Sequence, residues 1–452
     1  MAVQAPSTAG RRGPWLDLFC LICLGVAIAL LLVYYQQTQA TISKAGGAGW
    51  DGVHYLRLAE QMLNGEELRG VQPVVYRVGT PAVAVGVMRL GWAGDLIEAF
   101  RSANLAFGVL NVVLVFGLIR CFAGRWWALL GGVLYAMHWV SPLRYVFLFP
   151  VISDPGGLFF LYLGFLIMAR QWTWPPAVPV LLALCTFVGL WFREFVMLLP
   201  LVLAASRTPW QLWQRRDWAE IRRAAAPAAL PLLAGIVALL LVRLSVVIET
   251  DGAESYARYS MVRALLFHFW TNSPLFYLQA MFACFGLALV FLALRAQQSW
   301  RYMTQTPLLM ACTILLLALA YVGGADIERY IIWTSPFMAV LVAKAVEQER
   351  PPAAILVGLV IFTVVFVCRL PWPLPDYRPE LQSPFPIFTF IGSDFRLQDL
   401  YVLHSDKQAS GKIFYQYLLA SGMLALLLRR KWAMRQCRQL VGGWRRAVRR
   451  NP

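Results

Sequence analysis

The stretch "LDLFCLICLGVAIALLLVYY", residues 16 to 35, decides the class of fold to which this sequence belongs. About 20 mostly apolar residues in helical conformation are enough to cross the hydrocarbon core of a bilayer. Arg11 and Arg12 precede the stretch, and no small-residue cleavage signature follows closely behind it. The stretch therefore predicts an uncleaved first membrane span with a cytoplasmic amino terminus, and not a signal peptide that is removed.

The composition of the whole chain is that of an integral membrane protein. Of the 452 residues 60% are hydrophobic and only 14% are charged, whereas about a quarter of a typical soluble domain is charged. The net charge of +17 could suggest a nucleic-acid partner, but the basic residues mostly fall in short runs between apolar stretches, as the positive-inside rule describes. We therefore expect a lipid bilayer as partner and no nucleic acid. The eight cysteines predict neither a disulfide framework nor a zinc site, because they lie in apolar stretches or in the basic tail.

Further apolar stretches predict an all-α, polytopic transmembrane bundle of roughly twelve spans. Residues 74–92 contain two arginines and a proline, so we expect them to form a membrane-hugging or re-entrant helix, one of the external juxtamembrane helices of the first loop. The other predicted spans lie at 97–119, 126–141, 156–169, a hairpin within 176–205, 225–248, 276–294, 307–322, 331–346, 353–370 and 413–428.

Three basic segments predict the orientation of the chain in the membrane. Residues 207–223, 295–301 and 429–450 all fall on the same side as the amino terminus if residues 74–92 do not cross. We therefore expect both termini on the cytoplasmic side of the plasma (inner) membrane. If residues 74–92 do cross the membrane, every later segment lies on the opposite side from the one predicted here.

The external side then holds most of the polar residues that are not basic. Ionisable groups at membrane depth are costly and usually face a cavity or a partner, so these residues are site candidates. Structural explanations stay open for each of them: Arg193 beside Glu194 could be a structural ion pair, and "SDPGG" at 153–157 could be a turn with a capping aspartate. The ionisable candidates are Asp51, His54, Arg77, Asp154, Arg193, Glu194, Asp326, Glu328 and Arg329.

Asp51 also has a structural explanation, because it stands where the N-cap of a helix is expected. Apolar residues follow at helical spacing from Gly52 to Leu63, and Asn64-Gly65 predicts the end of the helix. Helix capping alone could explain a short polar side chain at this position. Capping would also fix the position of the carboxylate.

Five motifs occur in a characteristic order: "WDGVHYLRLAE" (50–60), "PVVYRVGTPAVAVGVMRL" (73–90), "RSANLAFGVLNVVLVF" (101–116), "SDPGGLFFLYLGFLIMAR" (153–170) and "WFREFVMLLPLVLA" (191–204). This order resembles the amino-terminal module of the GT-C superfamily, multispanning glycosyltransferases that use lipid-phosphate-linked sugars. The resemblance is clearest over roughly the first 205 residues. A weaker similarity occurs in "DIERYIIWTSPFMAVLVA" (326–343).

The resemblance implies roles for two carboxylates. In that superfamily an acidic residue of the first external loop acts as the catalytic base, and Asp51 is the matching position. A second acidic residue before the fourth span contributes to donor or metal binding, and Asp154 is the matching position. The first loop has "WDG" where some members have Asp-x-Asp, so the use of a divalent cation, Mg²⁺ or Mn²⁺, stays an open question.

The implied reaction needs three things from the protein. A base takes the proton of the acceptor hydroxyl, the acceptor approaches the anomeric carbon in line, and cations hold the departing phosphate. Asp51 is the candidate base. The candidate phosphate ligands are Arg77, Arg193 and Arg329, because a guanidinium group binds phosphate oxygens in a bidentate manner. Candidates for donor, acceptor or metal contacts are His54, Asp154, Glu194, Asp326 and Glu328.

We therefore interpret residues 1–206 as a GT-C-like catalytic module, residues 207–428 as a variable transmembrane module with external loops 249–275 and 371–412, and residues 429–452 as a basic cytoplasmic tail. The expected activity is transfer of a sugar from a polyprenyl-phosphate donor to a glycan, lipid or protein acceptor at the external face. Two alternatives stay open. One is a ligase or polymerase of lipid-linked glycans, in which the loop 371–412 takes part, and the other is a lipid or glycan transporter or flippase.

Overall fold

A computed structural model gives the architecture of the chain. Nearly all of the regular structure among the residues it describes is helical, and the two strands found there are a parallel pair, Arg69–Gly70 (β1) and Val247–Ile248 (β2). The predicted all-α class is therefore confirmed. Asp326, the basic tail beyond residue 429 and most of the two predicted external loops lie outside the described residues. The structure describes residues 14–170, 177–208, 210–249, 274–322, 327–374, 376 and 418–429.

The described helices follow one another along the chain, and most of them are joined by short connections. They are α1 (Pro14–Thr38), α2 (Gly52–Asn64), α3 (Gly79–Arg89), α4 (Leu96–Phe122), α5 (Arg125–Met137), α6 (Pro142–Leu148), α7 (Asp154–Arg170), α8 (Ala177–Gly189), α9 (Leu198–Arg207), α10 (Trp210–Arg215), α11 (Trp218–Ala225), α12 (Ala229–Leu244), α13 (Pro274–Phe285), α14 (Ala288–Leu294), α15 (Ala296–Gln305), α16 (Pro307–Val322), α17 (Ile327–Ile331), α18 (Ser335–Glu349), α19 (Ala353–Phe362) and α20 (Leu418–Arg429).

The first span forms where the sequence predicts it. It begins at Pro14, whose fixed φ suits the first helical turn and whose missing N–H would have had no partner there. A buried stripe at intervals of three or four residues packs on the bundle, while the remaining apolar side chains face outward. The stripe consists of Cys20, Leu24, Ile28, Leu31 and Tyr35.

The predicted count of twelve spans is not confirmed. By length and hydropathy four helices within the described residues can cross a membrane, at 15–38, 96–122, 218–244 and 327–349. The count reaches six if two pairs of helices bent by 114°, α13 with α14 and α15 with α16, are each one span. Gly286, with φ of +55°, breaks the first pair, because a left-handed residue cannot continue a right-handed helix.

The first loop folds into two helices that pack beside α4. Helix α3 has eleven residues and is therefore about 16 Å long at 1.5 Å per residue, too short for a hydrocarbon core of about 30 Å. Strand β1 joins the loop to β2 at the end of α12. An ion pair of Arg57 with Glu249, with N–O distances of 2.7 and 2.8 Å, reinforces that junction. Helix α4 contacts α3, α5, α6, α7 and α18, so it lies at the centre of the bundle.

Candidate active site

A cavity of about 340 Å³ lies between the first loop and the start of α7. This volume is within the range of about 300–1,000 Å³ that is usual for small-molecule sites. The cavity brings together four of the residues predicted from the sequence, although they are up to 278 positions apart (329 − 51). They are Asp51, Asp154, Arg193 and Arg329.

The glycines of "SDPGG" allow Arg193 to reach Asp154. A Cβ atom at Gly157 would lie 2.6 Å from Cβ of Arg193, and one at Gly156 would overlap the ring of Phe192. Such contacts are closer than real Cβ atoms make, so any larger residue would push the 191–195 tip away from α7. The two glycines therefore let the tip pack directly on the first turn of α7.

Asp154 lies between two arginines. Its Oδ1 is 2.5 Å from Nη2 of Arg193, and its Oδ2 is 2.9 Å from Nε of Arg329. Asp154 and Arg193 are 5% and 4% exposed. Removal of either partner would therefore leave an uncompensated charge in the low-dielectric interior. Asp154 also begins α7, where the helix dipole favours negative charge. Two guanidinium groups against one carboxylate leave this cluster with a net charge of +1.

A second ion pair lies beside the first. Arg77 donates from Nε to Oε2 of Glu194 over 2.9 Å, and from Nη2 to Oε1. The side chain of Glu194 is 45% exposed. Its partial desolvation raises the pKa, but the positive charges of Arg77 and Arg193 outweigh this effect and lower the pKa to about 2. The structural alternative in which Arg193 pairs with Glu194 is wrong, because the two neighbours bind different partners. Neither Arg77 nor Glu194 lines the cavity.

Two hydroxyl groups that the sequence analysis did not select also line the cavity. Arg77 donates from Nη1 to Oη of Tyr55 over 3.0 Å, and this Oη lies 2.9 Å from Oγ of Ser153. Tyr55 stands four residues after Asp51 and so shares its face of α2, and Ser153 precedes Asp154 directly. Both spacings were available signals in the sequence.

The carboxylate of Asp51 does not cap its helix. Asp51 occupies the N-cap position of α2, but its φ and ψ of −67° and −23° are helical, and its side chain accepts no hydrogen bond from the first turn. The expected side-chain cap is therefore wrong, because capping side chains usually need an extended backbone at this position. Among the described residues no hydrogen-bond or ion-pair partner of this exposed carboxylate occurs. The expected end of the helix at Gly65, with φ of +70°, is present.

Aromatic side chains form the apolar part of the lining. The ring of Phe149 lies 5.7 Å from that of Trp50 and 5.0 Å from that of Tyr145. Gly49 has φ of +79°, and a Cβ atom there would lie 2.8 Å from the ring of Phe149. Only glycine therefore lets the loop before Asp51 pack this closely on the end of α6.

The other predicted residues lie elsewhere. His54 is half-buried on α2 and Glu328 lies on α17, and neither lines the cavity, while Asp326 is outside the described residues. No group of three or more His, Cys, Asp or Glu side chains able to hold a metal occurs in the part of the chain that the structure describes. Asp154 engages both oxygens with arginines. Asp51 and Asp154 are the two carboxylates that line the cavity, and the use of a divalent cation stays a prediction.

Comparison with solved structures shows which known fold this is. The chain is similar to the crystal structure of the apo oligosaccharyltransferase of Archaeoglobus fulgidus, with a TM-score of 0.51 and 13% identity, and the match covers 91% of this chain and 56% of that one. The fold is therefore similar to that of an oligosaccharyltransferase, which agrees with the fold that the resemblance to the GT-C superfamily implies. At this identity the likeness concerns the fold alone, and this chain spans little more than half of the length of the structure it matches. No protein-family model and no curated protein matches the sequence.

Proposed function

We propose that this membrane protein transfers a sugar from a polyprenyl-phosphate donor to an acceptor hydroxyl at the external face of the plasma membrane. One observation carries the proposal: a carboxylate without a partner among the described residues lines the same cavity as one buried and one half-buried arginine, in a GT-C type fold. A carboxylate suits the acceptor hydroxyl and the arginines suit the donor phosphate, so one cavity has groups for both ends of the reaction.

In the proposed reaction Asp51 accepts the proton of the acceptor hydroxyl. The acceptor oxygen bonds to the anomeric carbon as the bond from that carbon to the phosphate oxygen breaks, and the polyprenyl phosphate leaves with the bonding electron pair. Arg193 and Arg329 stabilise the negative charge on the leaving phosphate, because their guanidinium groups stay charged and already lie in a site of low dielectric.

The decisive experiment is incubation of the purified protein with labelled polyprenyl-phosphate sugars and a panel of glycan, lipid and peptide acceptors. Turnover of one donor would support the proposal and name the reaction. Binding of donors without turnover in any combination would favour the transporter or flippase. Repeating the assay in EDTA with added Mg²⁺ or Mn²⁺ tests the remaining prediction that a divalent cation takes part.

The likeness to an oligosaccharyltransferase favours a second candidate, a ligase that transfers a whole lipid-linked glycan. The two candidates differ in the size of the transferred group. A ligase should prefer a lipid-linked oligosaccharide to a lipid-linked monosaccharide, and competition between the two donors in one assay measures that preference.

The proposed orientation places the cavity outside and both termini inside. Leu90 and Trp300 are 62% and 56% exposed, so each can be replaced by cysteine in a cysteine-free protein without disturbing packing. An impermeant thiol reagent should label Leu90→Cys in intact cells and Trp300→Cys only after the membrane is permeabilised. The same accessibility for both positions would contradict the orientation.

A further inference from the structure

Arg77, Tyr55 and Ser153 form a hydrogen-bonded row that ends at the cavity. The row is anchored at one end, because Arg77 also binds both carboxylate oxygens of Glu194. A guanidinium group has donors and no acceptor, so the phenol oxygen of Tyr55 accepts the bond from Arg77. The bond between the hydroxyls of Tyr55 and Ser153 can then run in either direction.

A count of protons shows that one hydroxyl donor is left over. The two hydroxyl groups carry two protons, and the bond between them uses one. Among the described residues neither oxygen has another acceptor, and neither carboxylate in the cavity, Asp51 or Asp154, accepts from them. Tyr55 and Ser153 are each 2% exposed and both line the cavity. In either direction one buried O–H group therefore lacks a partner until something enters the cavity.

We propose that this spare hydroxyl donates to a phosphate oxygen of the lipid-linked donor. The inference rests on the proposed function and adds Tyr55 and Ser153 to the groups that bind the donor. A phosphate oxygen only accepts hydrogen bonds, which is what a fixed donor requires. The arginine cluster around Asp154 carries a net charge of +1, so an anionic oxygen is favoured over a neutral sugar hydroxyl at this end of the cavity.

The row also explains why Arg77 is buried without lining the cavity. Its positive charge polarises the hydroxyl of Tyr55, and hydrogen bonds in a chain strengthen one another. Arg77 therefore acts on the donor through Tyr55 and Ser153. It is a positioning residue, and its two neighbours in the row make the contact.

The test is binding of a polyprenyl monophosphate to the purified full chain, with the corresponding polyprenol as reference. A hydrogen bond to a charged group is lost in the double variant Tyr55→Phe/Ser153→Ala, so its affinity for the phosphate should fall by about ten- to a hundredfold. Its affinity for polyprenol should not change. Matched controls are Tyr35→Phe and Ser335→Ala, which remove buried hydroxyls that donate to the carbonyls of Ala136 and Ile332 outside the cavity.

The outcomes separate this inference from the proposed function. If the parent binds polyprenyl phosphate no more tightly than polyprenol, both are overturned. If the parent prefers the phosphate and the double variant keeps that preference in full, the proposed function stands and the hydroxyl contact is overturned. Melting curves show whether the double variant folds. If it does not, the single variants decide, and parental phosphate affinity in both would overturn the inference.

Discussion

Two buried arginines of this protein have opposite surroundings. Arg193 is 4% exposed, lines the cavity and shares Asp154 with Arg329. Arg144, on α6, is 1% exposed and donates four hydrogen bonds to backbone carbonyls of the turn that follows α19. The acceptors are the carbonyl oxygens of Cys368 at 2.7 Å, Arg369 at 3.2 Å for two bonds, and Trp372 at 2.5 Å.

The difference decides what each arginine can do. The carbonyls around Arg144 belong to one turn of backbone and cannot be exchanged for a ligand unless the turn unfolds. Asp154, in contrast, is shared between two guanidinium groups, so either can turn toward an incoming anion while the other keeps the carboxylate neutralised. We therefore propose that the cavity binds the ligand and that the Arg144 turn contributes to stability.

The largest expected effect is on turnover at the cavity. The variant Asp51→Asn keeps the shape of the side chain and loses the base, so transfer should slow by about a hundredfold to ten-thousandfold while donor binding and the melting curve stay parental. His54→Ala, one turn along the same helix and outside the cavity, is the control and should be much milder. More than about a tenth of parental turnover in Asp51→Asn, with chemistry rate-limiting, would show that Asp51 is not the base, and Asp154 is then the other carboxylate that lines the cavity.

The second effect is on stability at the Arg144 turn. Arg144→Ala leaves several buried carbonyls without donors, which should cost about 3 kcal/mol or more and lower the melting temperature clearly. Arg57→Ala removes an exposed ion pair instead and should cost at most about 1 kcal/mol. Donor affinity per folded molecule should be unchanged in both. A parental melting temperature for Arg144→Ala would remove the distinction between the two arginines.

A third and smaller effect distinguishes arginines within the site. Lysine keeps the charge of Arg193 or Arg329 but loses the planar fork, and with it about one hydrogen bond to the charged phosphate. Each lysine variant should therefore raise the donor KM by about tenfold, with a smaller change in kcat. Arg77→Lys should raise it less, because Arg77 does not line the cavity. Steady-state kinetics over a range of donor concentrations measure all three. Equal changes would put Arg77 back among the direct phosphate ligands predicted from the sequence.

The smallest effect is a dependence of stability on pH. Because the pKa of Glu194 is lowered to about 2 on folding, its ionised form stabilises the folded state above the ordinary carboxyl pKa near 4.5. This contribution is lost as the pH falls through the folded pKa. The difference in melting temperature between the parent and Glu194→Gln should therefore be constant from pH 8 to about 5 and shrink below about 4.5. A difference that grows on acidification would contradict the sign of the shift.

Part of the site could be predicted because a charged side chain is costly in the hydrocarbon core of a membrane. Charged residues at the ends of apolar stretches usually face a cavity or each other, so the amino-acid pattern selected nine ionisable candidates. Four of them, Asp51, Asp154, Arg193 and Arg329, line the cavity. The helical class and the bounds of α2 followed from apolar spacing and from the Asn64-Gly65 signal.

The choice of partners could not be predicted in the same way. Arg193 has an extended backbone, with φ of −156° and ψ of 138°, so it and Glu194 point to opposite sides. A sequence does not show that local conformation, and adjacency favoured pairing the two. Likewise, the helical conformation of Asp51 removed the expected cap, and the break at Gly286 divided a stretch that hydropathy alone presents as continuous. Arg144 escaped attention because its partners are backbone groups, which have no sequence signature.

The bonds of Arg144 also carry a consequence for how the protein is made. Its nearest acceptor in the chain is 224 residues downstream. At about 5 to 20 residues per second, synthesis of that interval takes roughly 11 to 45 s, during which a charged guanidinium already delivered to the membrane has none of its final acceptors. Chains cut short before residue 368 would keep that charge uncompensated, so we expect them to be recognised and degraded, and membrane-inserted truncations to be scarce in pulse-chase experiments.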